Sequence, residues 1–315
     1  MSKKLEFEAG QNAFEAQLTD SGDHKEFNSQ AEYFSMKSGF APVVTVNGIL
    51  TGGEMSVSGT TVTVASLTCN LNGQANQSVV SGSVNITDPA TDTHLIHSVV
   101  VNAAGALEVI SGAEGTSFSD ERGAAGGPSY IPVDAIEIGQ VRVDDLGTSV
   151  NRSVKQVPNL HKEMALSPVF KTVTSKGNVV FSTALPQIHV GDITKAVYIT
   201  AAEPIFATVD YASDFQPSEE TISITSEETY SGTTGSQSKS LNTSTFKAKL
   251  EDGITDPLIK LKGENLWFRF YPDEYVANCI MEQGVLGVSR QYPTSGKVSA
   301  DFTIAVEQAG ILVEG

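Results

Sequence analysis

Cysteine is scarce in this chain of 315 residues, which contains only Cys69 and Cys279. Two cysteines so far apart in the sequence provide neither a disulfide framework nor the ligand spacing of a zinc site. We therefore expect both side chains to be free, buried thiols.

Basic residues are also few, because 20 Lys and Arg stand against 37 Asp and Glu, giving a formal net charge of −17. Binding a nucleic acid requires clustered cations that displace counterions from the phosphates, and no segment of this chain is basic. Stable binding of DNA is therefore disfavoured. The same charge suits a surface that DNA passes without adhering, since like charges repel, although acidity by itself also serves solubility.

Long apolar runs are missing, and no stretch approaches the roughly 18 continuous apolar residues of a membrane-spanning helix. The N-terminal residues Met1–Glu8 include two lysines but no apolar run behind them, which is unlike a secretory signal. We expect no membrane insertion and assembly in the cytoplasm.

Motifs that mark catalytic or cofactor sites are absent, including the Gly-X-Ser-X-Gly elbow, the Gly-X-Gly-X-X-Gly loop and His-Glu-X-X-His. His94 and His97 are the two histidines closest to each other in the sequence. On a strand they would face opposite ways, which predicts surface polar residues and no zinc site. Adjacent acids such as Asp144–Asp145 likewise diverge on an extended chain and cannot flank a glycosidic bond. We expect no catalysis, no metal and no cofactor.

The residues that are abundant, Thr, Ser, Val and Gly, favour strands and predict a mostly β fold. We predict an irregular N-terminal arm at 1–38, a small β-rich, Ig-like or decoration domain at 39–127 and a second β-sandwich domain at 128–315. Asn47–Gly48 and Ser58–Thr60 are predicted hairpin turns. The Gly-rich stretch Ser111–Ser129 is predicted to be a linker or long loop, and Asn159–Ala165 a short helix.

A long polar excursion, Ser226–Ser244, separates two strand-like runs and has Tyr230 and Leu241 as its only sizeable apolar side chains. Such excursions within a compact domain tend to be functional or disordered. One reading is a floppy surface loop. The other is a protruding hairpin arm that folds when it lies against a neighbouring subunit.

The final part of the chain has the clearest strand pattern. In Leu258–Pro272, apolar residues occupy both faces around Trp267, which predicts a central strand with a core tryptophan. Strands Val285–Tyr292 and Lys297–Val306 are predicted to form a closing hairpin, because Val298, Ala300, Phe302, Ile304 and Val306 recur with a period of two.

The order of these features from about Gly191 onward resembles the major tail tube proteins of long-tailed bacteriophages, the siphoviruses. The resemblance covers mainly 191–315 and lies in the pattern of a polar hairpin, a Trp-bearing strand and a closing hairpin. It implies a tail-tube-type β-sandwich with a short flanking helix and a long polar hairpin arm at 128–315. Six copies would join their sheets into a ring, and rings would stack into a tube.

The resemblance also implies contact residues and partners. Contacts between subunits or rings would involve the hairpin arm and the C-terminal end, at Glu227, Glu228, Tyr230, Leu241, Phe302, Ile304, Ile311 and Leu312. The partners would be further copies of the chain, a tape measure protein, a tail-tip or baseplate initiator and a tail terminator. Double-stranded DNA would pass without specific binding, and the protein would reside in the virion tail after assembly in the host cytoplasm.

Two other functions remain open from the sequence. One is a capsid decoration protein or a fibre adhesin built from Ig-like modules, which would bind through outer loops and form no stacked rings. The other is a carbohydrate-active enzyme on a β-sandwich, which would need two acids brought together from distant positions.

Overall fold

The computed structural model describes residues 2–155, 170–173, 177–185, 187–189, 197–229 and 232–315. These residues are almost entirely extended, and the sheets are antiparallel, which confirms the predicted mostly β fold. The predicted helix at Asn159–Ala165 lies outside the described residues. Within them the one helix is the single turn α1 (Pro257–Lys260), at a position where the sequence analysis expected a strand.

The strands in chain order are β1 (Lys4–Gln17), β2 (Thr19–Asp20), β3 (Glu26–Asn28), β4 (Val43–Val46), β5 (Gly48–Gly52), β6 (Met55–Ser58), β7 (Thr61–Val64), β8 (Leu67–Leu71), β9 (Gln74–Val79), β10 (Gly82–Asn85), β11 (Thr93–Val101), β12 (Leu107–Ser111) and β13 (Ile136–Asp145). They continue with β14 (Val150–Lys155), β15 (Phe170–Val173), β16 (Asn178–Phe181), β17 (Val197–Thr208), β18 (Ala212–Gln216), β19 (Glu220–Thr229), β20 (Gly232–Leu241), β21 (Ser244–Lys249), β22 (Asn265–Tyr271), β23 (Cys279–Gln291), β24 (Ser299–Val306) and β25 (Ile311–Val313).

The chain forms two compact units, each discontinuous in sequence. The first comprises 1–14, 32–42 and 201–315, and the second comprises 15–31 and 43–200. The sequence analysis placed its divisions elsewhere, after residues 38 and 127. Lys4–Gln17 are no irregular lead-in, because they form β1, whose Leu5 and Phe7 are buried.

The sheet of the first unit has the strand order β18-β21-β24-β23-β22-β1-β17, with β25 beside one end of β23. One face buries a cluster that includes Phe7, Phe246, Phe268, Phe302 and Ile304. On the other face, Trp267 packs with Tyr33, Cys279 and Met281. Burial of Leu266, Trp267 and Phe268 confirms that both faces of β22 are covered.

The closing hairpin of the first unit is confirmed in register. Strand β23 pairs with β24 from Gly284↔Val306 to Gln291↔Ser299. The side chains of Ala300, Phe302 and Ile304 are buried, as their period of two predicts. The ring of Phe302 stacks on that of Phe246, with centroids 4.7 Å apart.

The second unit contains four small sheets. Three of them, in the orders β5-β8-β9, β10-β7-β6 and β12-β11-β13-β14, surround one apolar core, and the fourth has the order β15-β16-β3-β2. Its Ig-like character stays a prediction. The turn at Gly59–Thr60 joins β6 to β7 as predicted. Asn47–Gly48 is not a hairpin turn, because β4 and β5 pair with β17 and β8 and not with each other.

The Gly-rich stretch Ser111–Ser129 lies wholly within the second unit and is a folded loop, not a linker between units. Gly112 N donates to Ile96 O at 2.8 Å, and Gly115 exchanges backbone hydrogen bonds with His94. A Cβ on Gly112 would lie 2.0 Å from the carbonyl oxygen of Gly127. Glycine is therefore required where the loop's own backbone approaches so closely.

Candidate assembly interface

The polar excursion belongs to a two-stranded hairpin formed by β19 and β20, which begins before the predicted Ser226 and ends before Ser244. Of the two expectations, the structure has the hairpin, and its contact with a neighbouring subunit stays a prediction. The strands pair without a register shift from Glu220↔Leu241 to Thr229↔Gly232. Each strand has 10 residues, which at a rise of about 3.3 Å per residue gives an arm roughly 33 Å long. Among the described residues no third strand joins this pair.

The hairpin, here called the β19–β20 arm, continues an edge of the main sheet. Strands β18 and β21 pair from Ala212↔Ala248 to Gln216↔Thr245, and the arm begins a few residues beyond that second end. Ser244 Oγ donates to Gln216 O at 2.8 Å where the ladder gives way to the arm. The arm is therefore an extension of the β18–β21 ribbon beyond the sheet.

The two faces of the β19–β20 arm differ in chemistry. Across the ladder Ile222 lies opposite Lys239 and Ile224 opposite Gln237, so both isoleucines share one face. Their side chains are 52% and 76% exposed, respectively. The other face holds only hydroxyl side chains over the same stretch, namely Thr221, Ser223, Thr225, Ser236, Ser238 and Ser240. An exposed pair of isoleucines on one face is a candidate contact surface.

The base of the arm is held by a buried carboxylate. Glu282, on β23, is 2% exposed, and its Oε1 accepts hydrogen bonds from Ser218 N at 2.6 Å and Ser218 Oγ at 2.9 Å. Ser218 lies between β18 and β19, where the chain leaves the sheet. Its carbonyl accepts a hydrogen bond from Gly310 N, just before β25. Glu282 therefore fixes the exit of the arm relative to the core and the C-terminal strand.

The predicted contact residues lie in the hairpin and at the C-terminal end of the chain. Glu227 and Glu228 lie on β19, in register with Thr234 and Thr233, and Leu241 ends β20 half-buried. Tyr230 lies outside the described residues. The described hairpin residues of the prediction therefore all lie on the arm, with Leu241 at its base and Glu227 and Glu228 near its tip.

The C-terminal residues of the predicted contact divide between the surface and the core. Leu312 on β25 is 78% exposed and Ile311 is half-buried. Phe302 and Ile304 are fully buried in the unit's own core, so their assignment to a subunit contact is wrong. Their apolar face packs against Phe246 and Phe268 of the same chain and is not available to a neighbour.

The sequence analysis missed the two exposed isoleucines of the arm. The strand-like run that precedes the excursion, Thr221–Ile224, was expected to lie outside it, whereas this run is part of the arm. The signal was present, because Ile222 and Ile224 alternate with Thr and Ser on a strand whose partner strand contains almost no apolar residue. An apolar stripe that its own hairpin cannot cover is a candidate contact surface.

Two histidines of the second unit, His97 and His189, are buried and contact hydrogen-bonding groups within that unit. His97 is fully buried, and its ring nitrogens lie 2.8 Å from Thr87 O and 3.0 Å from Ser111 Oγ, so the predicted surface position is wrong. Burial lowers the pKa of His97, against the opposing effect of the Thr87 carbonyl. Burial also lowers the pKa of His189, whose Nε2 lies 3.1 Å from Ala135 O.

The two cysteines are free and buried, as predicted. Nowhere in the described ranges do three or more His, Cys, Asp or Glu side chains gather as metal ligands would. Over those same residues, no helix combines the length and apolar character needed to span a membrane.

Comparisons with protein-family models, with curated proteins and with solved structures found no match to this chain.

Proposed function

We propose that this chain is a structural virion protein that polymerises as stacked hexameric rings into the tail tube of a long-tailed bacteriophage. The tube is an acidic conduit for delivery of the genome. Its partners are further copies of the chain, a tape measure protein, the tail-tip initiator and the tail terminator. The protein acts by assembly and has no catalytic role.

The observation that supports this proposal most directly is the β19–β20 arm. An isolated two-stranded hairpin is at best marginally stable in water and is usually stabilised by packing against another surface. This arm extends beyond its sheet with Ile222 and Ile224 exposed on one face. Packing against a neighbouring subunit would cover that face, so the arm serves as the contact between successive rings.

The edge of the main sheet is consistent with controlled assembly. Strand β18 pairs only with β21 in the described sheet, and its register shifts between Ser213 and Gln216, where Asp214 has φ +55°. Such a bulge discourages uncontrolled pairing of a free edge. Association is then directed to side-chain contacts such as those of the arm.

The charge of the chain suits a conduit. A formal net charge of −17 spread along a chain without a basic segment gives DNA no surface on which to bind. Like-charge repulsion would keep a passing duplex from adhering to the wall.

The proposal is tested by shortening the arm without disturbing the sheet. Replacing residues 222–239 by Asn-Gly keeps Thr221 and Ser240 in their native register and closes them with a two-residue turn. We expect a folded, soluble protein that forms no tubes by negative-stain electron microscopy. The matched control is Thr221→Ser/Thr225→Ser, which alters the opposite face and should assemble normally. Normal tubes from the shortened chain would contradict the proposal.

A further inference from the structure

The end of the first unit opposite the arm contains a cavity of about 420 Å³. Its lining includes Tyr211, Lys249, Thr255, Leu258 and Lys297. Tyr211 and Lys249 adjoin the Ala212↔Ala248 end of the β18–β21 ladder, and the arm begins beyond the other end. One copy of the chain therefore has the arm at one end of this ladder and the cavity at the other.

The rim of this cavity exposes large apolar side chains. Tyr211 is 68% exposed and has φ +53°, a conformation that is unfavourable for a bulky residue. Lys297 Nζ lies 4.5 Å from the centroid of the Tyr211 ring. Ile254 lies in the loop at 251–256, part of which lines the cavity, and Tyr292 contacts that loop. They are 65% and 57% exposed, respectively. A strained, exposed aromatic residue among other apolar side chains indicates a contact surface.

The loop beside the cavity is held rigid before any partner binds. The Asp256 carboxylate accepts hydrogen bonds from Glu251 N, Asp252 N and Gly253 N at 2.9, 3.3 and 2.8 Å. The carbonyl of Gly253 accepts hydrogen bonds from Arg290 Nη1 and Tyr292 Oη. A surface that is ordered in advance loses less entropy when it binds.

The arm is proposed as the occupant because it leaves the opposite end of the same ladder and carries carboxylates with which the two lysines of the lining can pair. Residues 219–241 include four glutamates, at 219, 220, 227 and 228, and one lysine, Lys239, which gives the segment a formal charge of −3. Lys249 and Lys297 present ammonium groups at the rim. Asp210, Glu251 and Asp256 also line the cavity, and the Asp256 carboxylate accepts three backbone hydrogen bonds within its own loop, so Lys249 and Lys297 mark where the acidic arm can approach.

We propose that this cavity and its rim, the Tyr211–Lys297 surface, receive the β19–β20 arm of a second copy of the chain. Ile222 and Ile224 pack against the exposed apolar rim, and the glutamates at the base of the arm pair with Lys249 and Lys297. Because donor and receiver are different surfaces, the contact is head-to-tail, and their positions at opposite ends of one ladder let it repeat as an open stack. This inference rests on the proposed function and names the receiving surface.

Charge exchange in full-length chains tests the pairing. The receiver variant is Lys249→Glu/Lys297→Glu, and the arm variant is Glu219→Lys/Glu220→Lys/Lys239→Glu, whose third change preserves the ion pair that Glu220 Oε2 makes with Lys239 Nζ at 3.0 Å on the same arm. We expect each alone to assemble at about tenfold higher concentration than the unmodified chain, because like charges now meet. In a mixture, the lysine arm of one variant meets the glutamate rim of the other, and the remaining arm and rim keep their native charges. The mixture should therefore assemble near the unmodified concentration, as measured by light scattering and sedimentation velocity.

The matched control is Lys260→Glu/Lys262→Glu, which makes the same change of charge at exposed lysines outside the cavity lining and should leave assembly unchanged. Tyr211→Asn removes the ring with a residue that tolerates a positive φ, and we expect it to weaken assembly without unfolding the chain. Normal assembly of the receiver variant, or no gain on mixing, would overturn the receiving surface and leave the tube proposal intact. An unmodified chain that never associates would overturn both.

Discussion

Replacing the two exposed isoleucines of the arm tests the energetic basis of the contact. Burying an isoleucine side chain completely stabilises a complex by about 1.5–3 kcal/mol. Scaling that range by the exposed fractions of Ile222 and Ile224, 52% and 76%, gives about 2–4 kcal/mol for the pair. Threonine retains one methyl group, and ordering of the interface offsets part of the gain. We therefore expect Ile222→Thr/Ile224→Thr to weaken each contact by about 2 kcal/mol, or about thirtyfold.

The assay is the concentration at which subunits begin to assemble, measured by light scattering and checked by pelleting. Thermal unfolding of the unassembled protein should be nearly unchanged, because solvent-exposed substitutions usually alter stability by less than about 0.5 kcal/mol. Thr221→Ser/Thr225→Ser, on the hydroxyl face of the same strand, is the control. An unchanged assembly concentration for the isoleucine variant would refute the claim that this face is covered in the assembled protein.

Three further predictions concern the folded subunit. Phe302→Ala should lower the free energy of unfolding by about 3–5 kcal/mol, whereas Leu312→Ala should change it little, in urea titrations followed by the single tryptophan. The free energy of unfolding should fall as the pH drops below about 6.5, because His97 binds a proton more readily in the unfolded chain than in its buried native position. The variant His97→Gln should lose less stability over the same pH range, as measured by unfolding followed with circular dichroism. Burial raises the pKa of the thiols of Cys69 and Cys279, so both should resist alkylation until the protein is denatured; rapid labelling of the native protein would contradict this.

Periodicity in the sequence predicted strands well but could not predict what covers them. Val298–Val306 and Thr221–Ile224 show the same alternation of apolar and polar residues. In the first run Phe302 and Ile304 are buried against their own chain, and in the second Ile222 and Ile224 are exposed. A period of two identifies the face of a strand, but the partner of that face depends on pairings distant in sequence. This is why Phe302 and Ile304 were wrongly assigned to a subunit contact.

The N-terminal strand β1 could not be predicted from the sequence, because its burial also depends on a pairing distant in sequence. Leu5 and Phe7 provide only one repeat of the alternating pattern, and the residues after them are mostly polar. Their burial depends on pairing with Phe270 and Phe268 of β22, more than 250 positions away. A signal so short is read as irregular chain unless its distant partner is known. The base of the arm was equally hidden, because nothing near Glu282 in the sequence indicates that Ser218 meets its carboxylate.

The measurement that tests the central claim most directly is negative-stain electron microscopy of the purified, unmodified chain over a range of protein and salt concentrations. The account predicts hollow tubes of uniform diameter built from stacked rings with sixfold symmetry. Single particles without rings at every concentration, even in the presence of preformed tail-tip complexes, would contradict it.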